Sequence, residues 1–65
     1  MFTINQKAKV ISGSFIGSIV TIAAIYVRVF GHNVPKQSIP EILAHKCTFI
    51  STDGEAFSSK ELSFF

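Results

Sequence analysis

The sequence predicts a mainly α protein: one transmembrane helix, followed by a small extramembrane tail that holds a short amphipathic helix and a hairpin turn. Three observations lead there. The run VISGSFIGSIVTIAAIYVRVF, residues 10–30, holds a single charged residue, Arg28. Only 15% of the 65 residues are charged and 48% are hydrophobic, whereas an ordinary soluble domain carries about 25% charge. After Gly31 the composition turns polar, with Pro35 and Pro40 marking a link. The expected organisation is a polar lead-in over 1–9, a transmembrane helix over 10–30, and a tail over 31–65 with a helix at about 39–46 and a turn at 53–54.

The span is argued from length and flanks. At about 1.5 Å per residue the run covers about 31 Å, which matches a hydrocarbon core of about 30 Å. Lys7 and Lys9 precede it, and Gly31, His32 and Asn33 follow. Gly31 suits a helix stop, Arg28 can snorkel, and Tyr26 and Phe30 suit an interface. A signal peptide fits less well, because no small-x-small cleavage site follows.

On a helical wheel, Gly13, Ser14, Gly17, Ser18, Thr21 and Ala24 fall on one side, with Arg28 in line below. Phe15, Ile16, Ile19, Ile22, Tyr26, Val27 and Phe30 fall on the other. Small residues let helix backbones approach closely in lipid, so the first face, with its GxxxG pair Gly13 and Gly17, is the expected packing face. Arg28 and His32, at the boundary, are expected to make a polar or headgroup contact.

In the tail, Ser38-Ile39-Pro40-Glu41 reads as a capping box opening a helix to Lys46, with Ile39, Ile42 and Leu43 on one side. Thr48 to Ser51 is β-prone, Asp53-Gly54 is a tight-turn signal, and Ala56 to Ser58 can return as a strand. Ser58 or Ser59 can cap a last turn through Lys60, Glu61 and Leu62.

Chemistry is sparse. Cys47 is the one cysteine, so no internal disulfide forms. His45-x-Cys47 is not a structural zinc spacing, and two residues apart on a helix do not face each other as nucleophile and base. Glu41, Asp53, Glu55 and Glu61 read as solvating carboxylates, and no phosphate loop is present. No metal site, cofactor or catalytic activity is expected. Lys7, Lys9, Arg28, Lys36, Lys46 and Lys60 are scattered, without the stripe that tracks phosphates, so nucleic acid is not an expected partner.

The expected partners are therefore a lipid bilayer and a membrane protein, or a second copy of the chain. The leading reading is a non-catalytic single-pass protein, amino terminus inside, acting as accessory subunit or modulator of a larger membrane complex. A self-associating, phage-type lytic or antiholin-like membrane effector is the alternative. A soluble interaction module, with the apolar run as its core, is the second alternative.

Overall fold

A computed structural model describes residues 1–65, and it replaces the mainly α expectation with a β fold: 54% of residues lie in strands and 14% in helical turns. In chain order the elements are β1 (Phe2–Thr3), β2 (Lys7–Val10), β3 (Ile19–Val29), β4 (His32–Lys36), β5 (Ser38–Ile39), a 3-10 turn Glu41–Lys46, β6 (Cys47–Ser51), β7 (Ala56–Ser58), a second 3-10 turn Ser59–Glu61, and β8 (Leu62–Phe64). No helix is long and apolar enough to cross a membrane.

The run 10–30 is a loop and a strand because of its residue types. Gly13 and Gly17 sit at φ +94° and +91°, in the left-handed region that right-handed helix, near −63°, does not use. They turn the chain between β2 and β3. From Ile19 onward, IVTIAAIYVRV is rich in β-branched and aromatic side chains, which pack well on a pleated surface. The alternation that should have announced a strand is interrupted once. Ile22 lies opposite Ser51 and Ala24 opposite Ile50, so Ala23 is an extra, bulged residue. Inward positions consequently change parity, from Ile22 before the bulge to Ile25 and Val27 after it.

All main ladders are antiparallel, in the order β7-β6-β3-β2-β8, and β4 pairs with β3 off this path. β3 is the spine. Its first residues pair with β2 (Lys9 with Ile19, Lys7 with Thr21), its middle with β6, and its last part with β4 (Ile25 with Lys36, Val29 with His32). The sheet curls, and its two outer strands, β7 and β8, are joined through the second 3-10 turn without pairing to each other. β1 and β5 form a separate two-stranded ladder, Phe2 with Ile39 and Thr3 with Ser38.

The curled sheet closes over Ala8, Val10, Ile22, Ile25, Val27, Cys47, Phe49, Phe57 and Leu62, and β5 and the 3-10 turn add Ile39 and Ala44. Phe49, 0% exposed, is the largest of these. Phe64 stacks on Phe2 at 4.2 Å between ring centroids and tilts onto Phe49 at 5.1 Å, which ties β1 and β8 to the core. Ser51 is the one buried polar residue, and its hydroxyl accepts from the Glu55 amide at 3.3 Å.

Other expectations change with the fold. The lead-in 1–9 is β1, a turn and most of β2, where Lys7 and Lys9 point out while Ala8 and Val10 point in. The helix at 39–46 is a 3-10 turn over Glu41–Lys46, and Ser38 does not cap it because Ser38 is paired in β5. Ile42 is exposed and Leu43 half-buried, so no amphipathic helix face exists there. Glu61 instead serves Ser58, accepting from its amide at 3.0 Å and its hydroxyl at 3.2 Å. Asp53 and Gly54 lie in the turn between β6 and β7.

Candidate functional site

The small-residue packing face does not exist as a face. Gly13, Ser14, Gly17 and Ser18 lie in the loop between β2 and β3, while Thr21 and Ala24 lie on β3. A helix contact through a GxxxG pair is thereby ruled out, and with it the single-pass reading, the accessory subunit docking through a helix, and the membrane effector built on the same span. A Cβ on Gly17 would meet nothing within 4 Å, so glycine stands there for its φ and not for close approach to a partner.

What this segment presents is its bulky residues. Ile11, Phe15, Ile16 and Ile19 are all exposed, Ile16 to 67%. The loop that carries them is stitched to the body. Gly17 donates to the Val10 carbonyl at 2.8 Å, Val10 donates to Ser18 at 2.8 Å, and Ile11 donates to Glu61 at 2.8 Å. The Phe15 ring rests edge-on against Phe57 at 6.2 Å. An apolar surface on a hydrogen-bonded loop is presented in a defined shape, which lowers the ordering entropy lost on contact.

Arg28 and His32 lie on one hairpin at the opposite end of β3, on its two different sides. β3 and β4 form a hairpin with a two-residue turn, Phe30-Gly31, at φ +49° and +80°. Two positive φ values make a type I′ turn, which normally takes Asn-Gly or Asp-Gly. Phenylalanine in the left-handed region costs about 1–2 kcal/mol. Asn5, the other non-glycine residue at positive φ (70°), is a type that accepts this region readily. Phe30 is also 98% exposed, so no packing offsets its strain.

The hairpin projects. β6 follows β3 only as far as Val27, opposite Cys47, so Arg28 to Asn33 extend beyond the neighbouring strand. Strand alternation puts Arg28 and Asn33 on one side of the hairpin and Val29 and His32 on the other. Arg28, Val29, His32 and Asn33 are all exposed, and Lys36 stands exposed at the base. The only ion pair in the molecule, Met1 amine to Glu41 at 3.8 Å, involves none of the hairpin cations.

Residues considered for chemistry are dispersed. Cys47 is buried at the start of β6 and its thiol donates to the Leu43 carbonyl at 3.2 Å, while His45 is exposed. Burial pushes the Cys47 thiol above its ordinary pKa, which keeps it protonated and unreactive at neutral pH. No three His, Cys, Asp or Glu side chains gather in one place, and the surface carries no concave pocket. Reasoning from the sequence missed the exposure of Phe30. The signal present in the sequence was a Phe-Gly pair between two β-branched stretches, Val27-Arg28-Val29 and the Val34 segment, which is a hairpin pattern with an unusual first turn residue.

Comparison with family models, with curated proteins and with solved structures found no match.

Proposed function

We propose that this chain is a non-catalytic interaction module that seats the apolar loop between β2 and β3, with Ile19 at its edge, in a complementary apolar site on a partner protein. One observation carries the reading: Ile11, Phe15 and Ile16 stand exposed on a loop fixed by backbone hydrogen bonds and left-handed glycines, with Ile19 exposed beside them at the start of β3. Burying such side chains on association is worth about 25 cal/mol per Å² of apolar surface, before the cost of ordering is subtracted. A strand architecture by itself argues for no activity, since one fold hosts many functions, so the reading rests on the surface. The interaction class kept here is the second alternative raised by the sequence, with the apolar run divided between core and contact surface.

A photo-crosslinking side chain at Ile16 tests it in native extract. The expected result is one discrete adduct, competed by unlabelled protein and not competed by protein carrying Phe15→Ser and Ile19→Ser. The adduct mass tells a second copy of the chain from another protein. Absence of a discrete adduct from positions 11, 16 and 19 alike would contradict the reading.

A further inference from the structure

The geometry points to a second contact, separate from the loop and made with a different class of partner: the tip of the β3–β4 hairpin inserts Phe30 into the headgroup region of an anionic lipid surface. Three observations meet at this tip. Phe30 is 98% exposed and held in a left-handed conformation that a phenylalanine disfavours. Strain of this kind, unrelieved by packing, marks positions kept for contact rather than for folding. The tip also projects beyond β6, whose pairing with β3 ends at Val27 opposite Cys47. Finally, the charge around it is of one sign. Arg28 and Lys36 carry positive charge on the hairpin, and no carboxylate lies between Arg28 and Lys36.

The dimensions agree with a lipid surface met tip-on. Arg28 lies two strand residues behind Phe30, about 7 Å, while a headgroup layer is about 5–8 Å deep. With Phe30 at the acyl boundary, the Arg28 guanidinium, with Asn33 opposite it, sits at phosphate level. Aromatic side chains favour this interface, and cations beside it are drawn to anionic leaflets.

A lipid surface fits better than the other macromolecules. A protein would need a socket matched to one convex side chain. Single-stranded nucleic acid favours several aromatic faces along a basic groove, and here one aromatic side chain stands alone on a projecting tip. This contact is a reversible docking by a strand hairpin, with no segment of the chain crossing the bilayer.

The experiment uses the full chain and vesicles of phosphatidylcholine with or without phosphatidylserine. The protein has no tryptophan, so Phe30→Trp places a single reporter at the tip. Its emission is expected to shift to the blue with phosphatidylserine vesicles, to stay put with phosphatidylcholine alone, and to return as salt is raised. In co-sedimentation, Phe30→Asn is expected to bind about tenfold or more weakly than wild type, the loss of one buried aromatic side chain. Because asparagine suits the turn, this variant folds at least as well, so its loss of binding is not a loss of structure. An unshifted emission with both vesicles, an equal shift with both, or undiminished binding by Phe30→Asn would overturn the proposal. So would quenching of the reporter by single-stranded oligonucleotide without any response to vesicles, which would assign the tip to nucleic acid. The crosslinking test reads a protein adduct at Ile16 and the vesicle test reads Phe30, so failure of either contact is read separately.

Discussion

At the start of β3, exposed Phe15 and Ile16 ride on a loop whose left-handed positions belong to Gly13 and Gly17, and the Phe15 ring leans on Phe57. At its end, Phe30 occupies a left-handed position itself, with nothing against its ring. The loop end obeys local rules: glycine where φ is positive, the amides at both ends of the loop paired, an aromatic side chain half covered. The hairpin end breaks one rule without compensation inside the molecule. Agreement across levels is what makes a sequence fold, so an uncompensated break points to a use outside the fold.

Both ends depend on the core between them, and the largest effect is expected there. Phe49→Ala should cost about 3–5 kcal/mol, as much as a core of this size supplies in total, about 3–5 kcal/mol. Circular dichroism and a lost unfolding transition would report it, and a variant that keeps both ends folded would break the view of β3 as a shared spine. Next comes Gly17→Val. Open space surrounds the position, so the effect is conformational, about 2 kcal/mol for a β-branched residue at φ +91°. Denaturant unfolding measures it, and a neutral result would mean that the loop does not need its left-handed glycine.

A smaller effect concerns Cys47. An acid whose folded pKa is raised holds its proton to higher pH when folded than when unfolded. Its stabilising contribution is therefore whole below the ordinary thiol value, about 8.5, and is lost as pH rises through the folded value. Wild type should lose stability over that alkaline interval more steeply than Cys47→Ala, measured by unfolding at stepped pH. Parallel profiles would show that the thiol is not buried in solution as it is here.

Turn chemistry was the most legible layer of the sequence. Asp53-Gly54 lies between β6 and β7, and Ser58 meets Glu61 three residues on, because each depends on a few adjacent atoms. The run 10–30 was illegible for a physical reason. Hydropathy records how apolar a segment is and not how it is paired. Here an exposed apolar loop and a core strand happen to be contiguous and to sum to the length of a membrane span. Period-two alternation was hidden by the bulge at Ala23, which moves the inward set from even to odd positions. The β-branched content of Ile19–Val29 and the two glycines, each unfavourable to helix, pointed the other way and were outweighed by length. Arg28 and His32 were expected at the boundary of a span that this fold does not have, and their shared place on one hairpin depends on the Phe30-Gly31 turn.

The comparison between the two ends reduces to one pair of variants, Phe15→Ala and Phe30→Asn, each followed by thermal unfolding in buffer without lipid or partner. Phe15 supports the loop, so its removal should lower stability by about 1 kcal/mol, or about 4–8 °C in Tm for a domain of this size. Phe30 supports nothing in the fold and strains its turn, so Phe30→Asn should raise stability by about 1 kcal/mol and move Tm up by a similar interval. A fall in Tm for Phe30→Asn matching that of Phe15→Ala would contradict the account, because it would show that the exposed ring is part of what holds the molecule together.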